Sequence, residues 1–263
     1  MMGKLLVSHE TPLCLLEESR NFNDYDYALV HLFENYPQYK SFFQESLKQG
    51  REVILDNSLF ELGKAWDSDL FIKEIEDLNP TYYIIPDSFD DYEGTIELFD
   101  NFLSKKCNSR SKKIGVIHGS SLQEYKMCYE YIEPYVDVIA ISFGYSFYSK
   151  LSGLSKDIGR SVGRYMLLDQ LLQLNIIKKD KRHHLLGISL PQELFFYKSS
   201  RFNFIKSIDT SSPVIHGLNG IEYQNMGLEF KLGAKMIDFF EEPLKNKEII
   251  YKNINLFKSF ANL

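Results

Sequence analysis

Eight short apolar runs, separated by stretches of helical periodicity, constrain this chain more than any other feature. The runs are KLLVSH (4–9), YALVHLF (27–33), EVILDNS (52–58), YYIIPDS (82–88), KIGVIHG (113–119), VIAISFG (138–144), HLLGISL (184–190) and FIKSIDT (204–210). Most are nearly continuous in apolar residues rather than alternating. That is the pattern of parallel strands covered on both faces. Amphipathic segments lie between them. Residues 36–50 end on Gly50, a C-terminal cap signal. Residues 67–80 open on Asp or Ser and stop before Pro80. Helical patterns follow at 94–106, 121–135 and 162–175, and a shorter one at 190–200 carries Pro191 at a first helical position. Residues 233–242 and the tail after Pro243 complete the set.

Eight strands, most followed by a helix, close a (β/α)8 TIM barrel at a length near ~250 residues. The chain has 263. The expected fold class is therefore α/β, a (β/α)8 TIM barrel forming a single domain over residues 1–263. An open doubly wound sheet is the alternative. No strand-to-helix turn carries a Gly-x-Gly-x-x-Gly or P-loop pattern, which weakens it. The connection 144–163, GYSFYSKLSGLSKDIGRSVG, is expected to be the longest informative loop.

Composition enters mainly as exclusion. With 30 basic against 36 acidic residues the net charge is −6, so the chain as a whole is no polybasic nucleic-acid binder, although local patches can still meet phosphate. Cys14, Cys107 and Cys128 are far apart and odd in number, without zinc-site spacing or a disulfide framework. A reduced cytoplasmic compartment fits them. The apolar run in MMGKLLVSHETP is too short for a signal peptide, and no run approaches a membrane span. The many Lys, Asn, Ile, Tyr and Phe residues suit an AT-rich coding source such as a phage, and hence a host cytoplasm.

His9, Asp56, Asp87, His118, Ser142 and Asp209 each fall at or just past the C-terminal end of an expected strand. In a barrel those ends open on one face, which carries the active site. The plainer reading is that Asp and Ser cap the helices that follow. Carboxylates gathered in one pocket can divide glycosidic chemistry between a nucleophile and a proton carrier. Asp and His also ligate divalent metals, but no compact motif such as His-x-His is present.

The segments that carry these residues resemble, in order and spacing, the tRNA-guanine transglycosylases and their DNA-modifying relatives, the 7-deazaguanine DNA transglycosylases. ILDNSLFELG is similar to the family's ILTDSGGFQ, which implies Asp56 as acid/base and Phe60 as the ring that stacks on the base. IIPDSFDD implies Asp87 on the purine edge, and GVIHGSSLQEY is similar to GIVQGG, with His118 where a glutamine reads the base oxygen. IAISFG is similar to IGGLAVGE, implying base contacts by Ser142, Phe143 and Gly144. HLLGISLPQELF is similar to LMGVGTPEDLL, with Pro191-Gln192-Glu193 in the turn. IKSIDTSSP is similar to FDCVMPTR, which implies Asp209 as the covalent nucleophile. The resemblance spans roughly residues 50–220. It departs at the missing double glycine and the glutamate absent after Gly144, at the Ser-Ser-Pro ending, and above all at the zinc subdomain. No cysteine follows Cys128, so a family zinc site is lacking and DNA is favoured over tRNA.

The resemblance thus implies a pentosyltransferase that exchanges a flipped guanine for a free 7-deazaguanine base. It needs no cofactor and no metal. Strand contacts are expected from Lys150, Lys156, Arg160 and Arg164, interleaved with Tyr145, Phe147 and Tyr148, and from His216. The basic runs 105–113 and 178–184 precede strands and read as solvated surface, with His184 structural. No role falls to His9 or His31. A tRNA enzyme, a non-catalytic partner subunit and a small-nucleoside glycosidase are the rival readings. A homodimer or a companion protein stays open.

Overall fold

A computed structural model of the chain describes residues 4–143 and 146–262. Eight strands form one parallel sheet in the order β1-β8-β7-β6-β5-β4-β3-β2. They are β1 (Leu6–His9), β2 (Asp26–Leu29), β3 (Val53–Asp56), β4 (Tyr82–Ile84), β5 (Lys112–Ile117), β6 (Val138–Ile141), β7 (Arg182–Leu185) and β8 (Ile205–Thr210). The helices are α1 (Leu16–Ser19), α2 (Pro37–Lys48), α3 (Leu59–Leu62), α4 (Ser68–Leu78), α5 (Tyr92–Leu103), α6 (Leu122–Ile132), α7 (Ser146–Ser152), α8 (Lys156–Gln173), α9 (Ser212–Leu218) and α10 (Lys247–Asn262). From β2 to β8 each strand lies beside its sequence neighbour, and the first pairs with the last, Leu6 opposite Ser207 and Ser8 opposite Asp209. A doubly wound sheet reverses its strand order part-way; this one does not. The fold class is α/β of the TIM-barrel type, as the strand count predicts.

The chain divides into two compact units. Tyr25–Ser142 holds β2 to β6 with α2 to α6. Its helices begin on side-chain caps: Asp67 accepts from the Asp69 and Leu70 N–H groups, Asp91 from Gly94, and Ser121 from Glu124. Such caps meet N–H groups that a helix leaves unpaired. α4 stops at Asn79, in the left-handed region just before Pro80. Phe71, Ile75, Phe99, Phe102, Tyr125 and Ile132 turn inward from these helices and are buried.

The second unit joins the chain up to Asp24 with the chain from Phe143 onward. It holds β1, β7 and β8, and α9 and α10 pack Val214, Ile215, Leu218, Ile250 and Ile254 with Leu15 and Phe22.

Every expected strand overlaps an observed one, but most end sooner. β4 stops at Ile84, and Pro86, which has no N–H to donate, follows shortly. Asp87, His118 and Ser142 consequently stand just past their strands. The expected loop 144–163 is a correction: it contains α7, and α8 begins at Lys156 rather than 162. Gly159 and Gly163 make this stretch read as loop, since glycine is a poor helix former. Their purpose is close approach, because a Cβ on Gly163 would lie 2.1 Å from the Tyr148 carbonyl oxygen in α7. Residues 233–242 form only a short 3-10 turn, Met236–Phe239. Among the described residues no helix is long and apolar enough to cross a membrane.

Candidate active site

The strand-end acids do not cap helices, with one partial exception. In the Tyr25–Ser142 unit, Asp87 is buried and both its oxygens are engaged by side chains. Asn57 Nδ2 donates to Oδ1 at 2.7 Å and also to the Ile85 carbonyl at 3.1 Å. His118 Nε2 meets Oδ2 at 2.6 Å, and His118 Nδ1 meets the Ser142 hydroxyl at 3.3 Å. A chain of four side chains therefore joins the ends of β3, β4, β5 and β6. The Phe89 ring stands edge-on to His118 at 6.1 Å. Behind the histidine, its backbone N–H points to the Cys128 sulfur at 3.5 Å; burial pushes that thiol up to about 12, so it stays a thiol.

Asp56 is the exception. Its Oδ1 accepts the Ser58 N–H at 2.5 Å, a local turn of the kind Asp favours. Its Oδ2 accepts the Tyr27 hydroxyl at 2.5 Å. Ser58 adopts φ 62°, a left-handed conformation that a side chain rarely takes and that gathers at functional turns. Phe60 sits beyond this turn, 36% exposed, edge-on to Phe89 at 6.5 Å. It is thus not sunk in helix packing.

In the second unit Asp209 is 4% exposed at the end of β8. The Gly187 N–H donates to both its oxygens, at 3.2 and 3.3 Å. His184 Nε2 lies 2.9 Å from Oδ1, and His184 Nδ1 lies 2.9 Å from the Ser207 hydroxyl. The tautomer with its proton on Nε2 lets His184 donate to Asp209 while Nδ1 accepts the Ser207 hydroxyl. Gly187 holds φ 61°, the left-handed region that favours glycine. Its position is fixed by Arg164, whose guanidinium donates to the Leu186 and Gly187 carbonyls at 2.7 and 3.0 Å and to Glu193 Oε1 at 2.7 Å.

Arg164 corrects the expectation of a phosphate contact. It is 0% exposed, and its donors serve the protein interior. His216 is a second correction. It is buried, its Nδ1 sits 2.8 Å from the Ser212 carbonyl, and burial pushes its imidazole below the ordinary value. The run 178–184, expected as solvated surface, is the third: it exposes Lys178 and Lys179, but His183 is buried, as is His184, expected to be structural, which touches Asp209. Lys150 and Lys156 are exposed as expected. Arg160 is half-buried, paired with Asp157 at 3.3 Å. Phe143 is buried, with Arg160, Arg164 and Lys231 over its ring at 5.7, 5.3 and 5.3 Å. Gly144 lies outside the described residues.

Sequence reasoning missed Asn57, Tyr27, His184, Gly187, Glu193 and Lys231. Burial lowers the Lys231 ammonium from the ordinary lysine value, with the Glu10, Asp157 and Asp209 carboxylates opposing. Among the described residues no group of three or more His, Cys, Asp or Glu side chains could hold a metal ion.

No family model and no curated protein matches the chain. Among solved structures it is similar to the carboxyl transferase domain of Rhizobium etli pyruvate carboxylase with 3-bromopyruvate, with TM-score 0.48 and 8% identity over 98% of this chain and 48% of that one. It is similar also to that domain with pyruvate and biocytin, with TM-score 0.40 and 9% identity over 85% of this chain and 38% of that one. The chain therefore spans less than half the length of these structures, and the chemistry rests on its own residues.

Proposed function

We propose that this chain is a pentosyltransferase that exchanges guanine in a polynucleotide, DNA ahead of tRNA, for a free 7-deazaguanine base. The observation that carries the reading is the seating of Asp209. One backbone N–H spans both oxygens and a histidine holds one of them, so the carboxylate is oriented without being spent on capping a helix. Such preorganisation is what a nucleophile needs.

Asp209 attacks C1′ of the flipped nucleotide. The bond from C1′ to the base nitrogen breaks and its electron pair leaves with guanine. Asp56 enters this step as the acid, gives its proton to guanine and becomes a carboxylate, to which the Tyr27 hydroxyl donates a hydrogen bond. In the second step the incoming base gives its proton to Asp56 and attacks C1′, and Asp209 leaves as a carboxylate. Two inversions at one carbon restore the original configuration. Asp87 and His118 take the edge of the base and Phe60 its face. Flipping costs roughly a few kcal/mol. Lys150 and Lys156 stand exposed for the strand, with Arg160 half-buried beside them on Asp157; a second copy or a companion protein would enlarge that surface. The setting is the cytoplasm, that of a host if the source is a phage.

Radiolabelled guanine offered with duplex DNA, single-stranded DNA and tRNA tests this. Label is expected in DNA with wild type and in nothing with Asp209→Ala. A small-nucleoside glycosidase is the second reading, favoured by the burial of Arg164 and His216, which shrinks the expected strand-contact set. It is distinguished by free base released from nucleosides with no label entering any polymer.

A further inference from the structure

We propose that Arg164 and Glu193 form a positioning device for Asp209, a buried ion pair that aims the Gly187 N–H at the carboxylate. The role rests on Asp209 being the nucleophile, but the geometry stands by itself.

A fully buried guanidinium is costly unless it is paired and its donors are used. Arg164 spends Nε on Glu193 Oε1, Nη1 on the Leu186 carbonyl and Nη2 on the Gly187 carbonyl. Glu193 Oε1 is held in turn by the Tyr197 hydroxyl at 2.9 Å. The decisive point is covalent geometry. The Leu186 carbonyl and the Gly187 N–H belong to one planar trans peptide and point in opposite directions. Gripping the carbonyl from one side therefore aims the N–H to the other, where Asp209 stands at 3.2 and 3.3 Å. The cation on the carbonyl also polarises the peptide and strengthens its N–H as a donor. The next residue closes the clamp: Ile188 N–H donates to the Asp209 carbonyl at 3.1 Å, and its carbonyl accepts the Thr210 hydroxyl at 2.8 Å. Lysine could pair with Glu193, but a single ammonium lacks the planar fork that serves three acceptors at once.

The test combines an activity-free readout with kinetics, on the full chain. Hydrogen exchange of the Gly187 amide is followed by NMR in wild type, Arg164→Lys, and the double variant Arg164→Met with Glu193→Met, which removes both buried charges and so keeps a foldable core. Gly187 protection is expected to fall about tenfold or more in both variants while the Ile208 amide in β8 keeps its own. Unchanged protection at Gly187 overturns the proposal. If wild type proves inactive on every polymer, the functional reading fails, and this exchange result still decides the device. In active protein, kcat is expected to drop about tenfold or more with KM within about twofold, in Arg164→Lys as in the double variant. A rise in KM at constant kcat would make Arg164 a substrate contact and overturn the proposal. So would full kcat in Arg164→Lys.

Discussion

The two units carry the same side-chain grammar and use it differently. In each, an aspartate at a strand end meets a histidine Nε2, and the histidine Nδ1 meets a serine hydroxyl: Asp87, His118 and Ser142 in one, Asp209, His184 and Ser207 in the other. What differs is the remaining donor. Asp87 takes a side-chain amide from Asn57, which also donates to the Ile85 carbonyl. Asp209 takes a backbone N–H gripped from behind by a buried guanidinium. On the proposed function, the carboxylate that reads the base trades its partners when the base arrives, and the one that forms the bond stands still.

The largest effect that would break this contrast is expected at Asp209. Asp209→Ala should lower base exchange by roughly 10⁴-fold, and the wild-type sugar adduct should appear on this residue by mass spectrometry. An adduct on Asp87 instead would reverse the two roles. Next comes Arg164→Met alone, which leaves Glu193 buried and unpaired. Urea unfolding should show a loss of about 3–5 kcal/mol, largely recovered by adding Glu193→Met. Asp87→Asn is milder. Removing one charged hydrogen-bond acceptor costs about 1.5–3 kcal/mol, so kcat/KM should fall roughly 10- to 100-fold. A fall as deep as that of Asp209→Ala would erase the distinction.

Acid offers a smaller and graded probe. Burial pushes His9 and His183 down to about 4, and both lie in the unit of Asp209. Each is neutral when folded and binds a proton on unfolding below its ordinary value of about 6.5. Stability is therefore intact above pH ~6.5 and drains as pH falls toward 4, by about 1.4 kcal/mol per unit for each histidine. Amides of β1 and β7 should show lower protection, relative to their intrinsic exchange rates, at pH 5 than at pH 7. His183→Leu should flatten the slope. The smallest effect is expected at Ser58→Gly. Relief of the left-handed backbone is offset by a looser unfolded chain and a lost hydroxyl, for a net change within about 1 kcal/mol in thermal unfolding.

The fold was legible because buried parallel strands write themselves as unbroken apolar runs, and the polar residue that ends each run is conspicuous. Asp56, Asp87, His118, Ser142 and Asp209 stood out for that reason. Their partners did not. Asn57 follows Asp56 directly and reads as an ordinary turn residue; only its reach across to Asp87 makes it part of the site. His184 ends a lysine-rich run, so its charge pattern pointed outward while its strand carried it inward. Arg164 misled in the same way: basic residues are counted as surface until a carboxylate as distant as Glu193 neutralises one inside. Spacing along the chain holds no trace of such pairings.

The pairing of β1 with β8 has a consequence in time. Tyr25–Ser142 is continuous and has all its strands once residue 142 is made, whereas Leu6 must wait for Ser207, which at ~5–20 residues per second takes on the order of ten to forty seconds. Until then β1 presents an unpaired edge. The half that holds Asp209 is therefore the last to be completed during synthesis.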